Sequence, residues 1–173
     1  MISLRPLTDA DLPVVRLWFE DVETRHWLGG WNWPRGKLAL AGPGRHTLLG
    51  LIDGLPAGLL DIEVDAAQRA AFAIVVSPTL RRLGLGRALT VAMMADRQFA
   101  QVDEWFAGVE SGNVGSRQLL IGCGFARVTD EDADGFTYHA LRRRGWPQLP
   151  WTPWGPLAAP RPAMHKLAAR SPL

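Results

Sequence analysis

The sequence predicts a mixed α/β domain in which hairpin-linked strands are followed by a strand-helix-strand unit. Three observations carry that prediction. Three apolar runs lie between residues 46 and 76, separated only by short turn-forming breaks, the first of which is Asp53-Gly54. Leu85 to Gln98 is rich in alanine and leucine and free of proline, as a long helix requires. The strand-like run Glu104 to Val109 gives way to a second helical segment that stops at Gly122 and Gly124. Strands and helices in this order build a sheet with helices on its faces.

Taken in order, Ile2 to Leu7 alternates apolar and polar residues up to Pro6 and suits an edge strand. Thr8-Asp9 offers a cap to a helix from about Asp9 to Glu20, in which Leu12, Val15, Trp18 and Phe19 recur at helical spacing. A shorter helical piece follows. From Val22 to Trp33 the chain is crowded with Trp27, Trp31 and Trp33, and Gly29, Gly30 and Pro34 then break any regular element. Residues 46 to 52 and 55 to 64 pair about Asp53-Gly54, and Ala70 to Val76 joins them through a turn near Ala66-Ala67. After the long helix come the strand Glu104 to Val109, a helix from about Asn113 to Ile121, and a hairpin of Phe125 to Thr129 with Phe136 to Leu141 about Asp134-Gly135.

A chain of 173 residues fits one domain with a full core. Apolar residues at 47% and charged residues at 21% argue against whole-chain disorder and fibrous architectures. The absence of an 18-residue apolar run, and of a basic stretch before an apolar core at Met1 to Pro6, predicts a cytoplasmic protein without a membrane partner. One cysteine, Cys123, excludes an internal disulfide and a cysteine-built zinc site, and no metal site is predicted. The net charge of +2 hides a partition: residues 142 to 173 carry +6 and no acid, so residues 1 to 141 carry −4. The tail also holds seven prolines with Trp146, Trp151 and Trp154, a composition that sustains neither a helix nor a central strand. The expected organisation is a body over residues 1 to 141 and a basic Pro/Trp-rich arm over 142 to 173. Tryptophans are costly to leave in water, so the arm is expected to dock on the body or on a second subunit as a homodimer.

The segment Val76-Ser77-Pro78-Thr79-Leu80-Arg81-Arg82-Leu83-Gly84-Leu85-Gly86-Arg87 sets a glycine-rich turn between a strand and the long helix. Glycines let backbone approach a ligand, and first-turn amides with the helix dipole seat phosphate oxygens. No Gly-Lys-Ser/Thr closes the loop, so it is not a Walker loop, and the hairpin-linked strands before it exclude a dinucleotide fingerprint.

Arg81-x-x-Gly84-x-Gly86 resembles the pyrophosphate-binding motif of the GNAT acyltransferase superfamily, and Val109-x-x-x-Asn113-x-x-Ser116-x-x-Leu119-Leu120-x-x-x-Gly124-Phe125 is similar to its second motif. The element order over residues 2 to 141 is also that of the family. Leu4 to Leu12, with Trp27-Leu28-Gly29-Gly30, resembles the branch of ribosomal-protein N-terminal and aminoglycoside 6′-acetyltransferases. The resemblance implies a mostly antiparallel sheet that splays between its fourth and fifth strands, with helices on both faces, and acetyl-CoA as co-substrate lodged in the splay. It implies that backbone groups of Ile74, Val75 and Val76 pair with the pantetheine arm as an added strand. The diphosphate would sit on the amides of Arg82, Leu83, Gly84, Leu85, Gly86 and Arg87, with Arg81 adding charge. Asn113 and Ser116 would meet the arm from the other side, although an Asn before a helix also serves as a plain cap.

Acyl transfer to an amine needs a deprotonated amine, stabilisation of the developing oxyanion and a proton for the leaving thiolate. The resemblance gives the oxyanion role to the backbone amide of Val75 or Val76. The acid is often a tyrosine in the second motif, where this chain has Leu120; its only tyrosine is Tyr138, on the last strand, so solvent is the remaining proton source. Some relatives place a glutamate base at the position of Ala70. A two-residue turn at Ala66-Ala67 would set Ala70 opposite Glu63 on one face, so Glu63 is a candidate base, although Asp61, Glu63 and Asp65 also read as a solvated strand face. Glu110, after the fifth strand, is the second candidate. His26, Trp27, Trp31 and Trp33 fall where the family builds its acceptor pocket, and the same tryptophans also suit a core.

The predicted function is transfer of acetyl from acetyl-CoA to a primary amine of a small molecule or a protein N-terminus. An acyl-CoA-binding regulatory domain with little turnover is the competing reading. Nucleic acid is not an expected partner, because the arm's six cations are too sparse among its prolines.

Overall fold

The computed structural model describes residues 1–39 and 42–142. The arm's predicted docking, with Trp146, Trp151 and Trp154, lies outside the described residues. The elements are β1 (Ile2–Pro6), α1 (Leu12–Trp18), α2 (Val22–Leu28), α3 (Asn32–Ala39), β2 (Arg45–Ile52), β3 (Leu55–Val64), β4 (Arg69–Val76), α4 (Leu85–Ala95), β5 (Glu104–Glu110), α5 (Val114–Gly122), β6 (Ala126–Arg127) and β7 (Phe136–Arg142). The strands form one sheet in the order β1-β2-β3-β4-β5-β7-β6, antiparallel except for β4 and β5. This is the mixed α/β architecture that the sequence predicts. No helix among the described residues is long and apolar enough to cross a membrane.

Alternation along the strands sorts side chains to two layers. One face packs Leu60, Ile62 and Phe72 against Met93 of α4 and Leu120 of α5. The other packs Leu49, Leu59 and Val75 against Val15 and Trp18 of α1, with Leu28, Trp33 and Leu38 from α2 and α3.

Two turns differ in kind, and the difference sets the register. Asp53 (φ 49°) and Gly54 (φ 82°) are both left-handed and close β2 to β3 as a tight two-residue hairpin. Between β3 and β4 the Asp65 amide donates to the Arg69 carbonyl at 2.9 Å, and Gln68 sits at φ 58°, so three residues, not two, make the loop. The Asp65 carboxylate holds it, accepting from the amides of Ala67 and Arg69 at 2.9 Å each. The expected pairing of Ala70 with Glu63 is therefore wrong: Ala70 faces Val64, and Glu63 faces Ala71. A one-residue shift sends the side chain to the opposite face.

Two other expectations change. Pro34 does not end regular structure but lies in the first turn of α3, where a missing N–H removes no helical bond. The first helix is shorter than predicted, a 3-10 turn at Asp9–Asp11 running into α1, with Asp11 accepting from the Thr8 amide at 2.9 Å and binding Arg5 through both oxygens at 2.7 and 2.6 Å. Of the predicted strand Phe125 to Thr129 only Ala126 and Arg127 pair, and β7 lies between them and β5. Arg142, placed with the arm by composition, ends β7 and donates to Glu104 at 3.1 Å.

Candidate active site

The two parallel strands part early. Pairing runs through Arg69 with Glu104, Ala70 with Trp105 and Ala71 with Phe106, and stops. The Ser77 amide donates to the Ala57 carbonyl at 2.9 Å, as Asp65 does to Arg69, so odd-numbered residues of β4 turn their backbone groups to β3 and even-numbered ones to β5. Past Ala71 that leaves Ile74 and Val76 presenting N–H and C=O to the gap, an edge on which an extended ligand can add as a strand. Val75, expected beside them, turns its backbone to Leu59 and its side chain into the core, because the pleat alternates.

Beyond Val76 the chain makes a single 3-10 turn at Pro78–Leu80, then two left-handed residues, Arg82 (φ 66°) and Gly84 (φ 77°), before α4 begins. Gly84 caps α4 without a side chain, and its carbonyl accepts from Ala88 at 3.2 Å. The amides of Leu85, Gly86 and Arg87 thus start the helix without intrahelical partners, at the positive end of its dipole. A Cβ on Gly86 would lie 3.4 Å from Leu119 and 3.5 Å from Val76, so glycine here brings α4 close to α5 and β4. Leu83, with Arg82 and Arg87, is exposed on the rim. Arg81 differs: its guanidinium binds Glu23 and Asp21 at the start of α2, at 2.8 and 2.9 Å.

Across the gap, the Asn113 carboxamide oxygen accepts from the Ser116 amide at 3.0 Å, so Asn113 is a cap of α5 in the plain sense. Half-buried Ser116 follows in the first turn. Cys123, at the other end of α5, packs against the core, and burial pushes its thiol up.

The two candidate carboxylates occupy different settings. Glu63 is buried, accepts from Arg45 at 2.8 Å and lies 3.5 Å from Lys37. Lys37, from α3, is half-buried with its side chain 9% exposed and pairs with Asp61 at 2.6 Å, which Thr47 also reaches at 3.2 Å. Burial raises the Asp61 carboxyl above its usual range. Asp65 binds Arg69 at 2.8 Å. The three alternating acids are thus paired groups rather than a solvated face, and Glu63 lies at the closed end of the sheet, two strands from β5.

Glu110 ends β5 at the open end. Its carboxylate has no hydrogen bond or ion pair among the described residues. Two positions before it, a Cβ on Gly108 would come within 3.0 Å of the Tyr138 ring; two positions after it, one on Gly112 would come within 3.3 Å of Trp27. An aromatic ring therefore lies over the backbone on each side of Glu110. His26 is exposed, with its ring 4.3 Å from that of Trp27. Trp31 and Trp33 belong elsewhere, half-buried against Phe19 at 6.4 and 5.9 Å, so the four predicted pocket residues divide into Trp27 with His26 on one side and two tryptophans packed on the core on the other. Sequence reading left Tyr138 out of the site; the signal was the bare glycine opposite it, visible only once Gly108 and Tyr138 are in register.

No family model matches the chain. Over 139 residues, 79% of this chain and 93% of the relative, it is 30% identical to YfmK, an uncharacterized N-acetyltransferase of Bacillus subtilis (strain 168). Among solved structures it resembles the aminoglycoside acetyltransferase AAC(6')-Ib in complex with coenzyme A, at 17% identity and TM-score 0.70, covering 83% of this chain and 95% of that one. The ribosomal-protein-S18-alanine N-acetyltransferase from Escherichia coli is similar at 21% identity and TM-score 0.64, over 82% and 94%. An acetyltransferase from Thermus thermophilus gives 20% and 0.70, over 83% and 97%. At these identities the structural likenesses bear on the fold.

Proposed function

The chain belongs to the GNAT superfamily of N-acetyltransferases, and from that premise we propose that it moves an acetyl group from acetyl-CoA to a primary amine of a small molecule or a protein N-terminus by direct attack. The observation that carries the proposal is the gap after Ala71 and Phe106, which leaves the Ile74 and Val76 backbone beside a left-handed glycine loop at the start of α4.

The groups present fit acetyl-CoA. Ile74 and Val76 offer alternating donors and acceptors to an amide-bearing arm. The loop amides from Arg82 to Arg87, free of helical partners at the α4 start, suit a diphosphate. Asn113 and Ser116 close the arm's other side. Acetyl-CoA supplies an activated thioester. The Val76 amide is suited to donate to the carbonyl oxygen as negative charge develops there, a role that Val75 cannot share because its N–H serves β3. Glu110, whose carboxylate has no partner among the described residues, takes the ammonium proton, and Trp27 and Tyr138 wall the path by which the amine approaches. Solvent protonates the departing thiolate. A cytoplasmic location and a homodimer complete the proposal.

Release of free thiol from acetyl-CoA, followed against a panel of primary amines, tests it. Amine-dependent release is the expected result. Tight acetyl-CoA binding with no release for any amine would sink it.

A further inference from the structure

Arg81 opens the loop motif, yet its side chain serves another element. Nη1 donates to Glu23 Oε2 at 2.8 Å, Nη2 donates to Thr24 Oγ1 at 2.5 Å, and Nη2 stands 2.9 Å from Asp21 Oδ1. All three acceptors come from the cap and first turn of α2. Asp21 in turn accepts from the Thr24 amide at 2.9 Å and its hydroxyl at 3.1 Å, and these bonds, with Arg81, hold its carboxyl below the usual range. Thr24 is buried, at 3% exposure. A planar guanidinium suits three oxygens arranged this way, whereas a single ammonium does not.

The acids at the start of α2 already favour the helix through its dipole and need no arginine for that purpose. What Arg81 adds is a tie between α2 and the loop before α4. Trp27 lies three positions from Thr24, one turn along the same helix, and its ring covers Gly112 beside Glu110. A guanidinium so engaged turns three of its five N–H groups toward α2 and not toward a diphosphate.

We infer that Arg81 is a positioning residue for the acceptor side: it fixes α2, and through it Trp27, against the cofactor loop, and it does not ligate the diphosphate with its side chain. The inference rests on the acetyl-transfer reading of the same site.

The test measures acetyl-CoA affinity by direct titration without acceptor, and KM and kcat for an amine that the thiol-release panel finds active. Arg81→Ala should leave the acetyl-CoA Kd within about twofold and raise the amine KM about tenfold, with kcat changed less than about threefold. Arg81→Lys should restore only part of the amine KM. Thr24→Val removes a ligand of Arg81 from the far side, where it meets no diphosphate, and should shift the amine KM in the same direction while sparing acetyl-CoA binding. A tenfold loss of acetyl-CoA affinity in Arg81→Ala overturns the inference, as does an unchanged amine KM in Thr24→Val. Failure of the unaltered protein to bind acetyl-CoA would instead overturn the acetyl-transfer reading and this inference with it.

Discussion

Glu63 stands opposite Ala71 on β4 and opposite Arg45 on β2, so Ala70 turns to the other face of the sheet while the Glu63 carboxylate binds Arg45 and lies beside Lys37. Glu63→Gln keeps an acceptor for Arg45 and should leave kcat within about twofold of the unaltered protein. A hundredfold loss of turnover would return Glu63 to the chemistry.

Lys37 is the keystone of the same cluster, since it binds the buried Asp61 at 2.6 Å. Lys37→Met leaves that carboxylate buried without its cation and should cost about 3–5 kcal/mol of stability, read by denaturant unfolding. The double variant with Asp61→Leu should recover part of the loss, because removing both charges relieves the burial of an unpaired one.

Asp11 is held well below the ordinary carboxylate range, chiefly by the Arg5 hydrogen bonds and further by Thr8. The folded form binds this proton less tightly than the unfolded chain, so the stabilisation is present above the unfolded value of 3.8 and is lost as pH falls below it. Asp11→Asn should destabilise the protein by about 1–2 kcal/mol at neutral pH. The gap in Tm between the two proteins should then narrow as the medium is acidified; Asp61, raised by burial, titrates in the opposite sense in both and drops out of the comparison.

Glycines around the gap should separate binding from chemistry. Gly112→Ala places a methyl 3.3 Å from Trp27 and should raise the amine KM severalfold while sparing acetyl-CoA affinity. Glu110→Gln should lower kcat by about a hundredfold or more, the range of a lost proton acceptor. Equal turnover in Glu110→Gln would remove it from the mechanism.

Gly84 has open space around its Cα, so a methyl there clashes with nothing, but its φ of 77° disfavours any side chain. Gly84→Ala should cost about 1 kcal/mol and weaken acetyl-CoA binding, because the loop must leave its left-handed turn. Gly36, in α3 with equally open space and an ordinary helical backbone, gives the control: Gly36→Ala should raise stability by about 0.4–1 kcal/mol.

The sequence by itself determined what depends on neighbours along the chain. Asp53-Gly54, the alanine-rich α4, the Asn113 cap and the order of strands and helices follow from local conformational preference, and the two glycine motifs identify the family because their spacing is local too. Tertiary structure decided what depends on register and on distant partners. A third residue in the Asp65-to-Arg69 turn, allowed because Gln68 accepts a left-handed φ, put Ala70 on the face opposite Glu63. Pleat alternation gave the gap to Ile74 and Val76 and withheld Val75, and the pairing of β5 with β7 brought Tyr138 over Gly108 from a distant part of the chain. Arg81 is the sharpest case: its place in the motif is set by the sequence, but the acids that hold its guanidinium lie more than 50 residues earlier, and only folding brings them within hydrogen-bond reach.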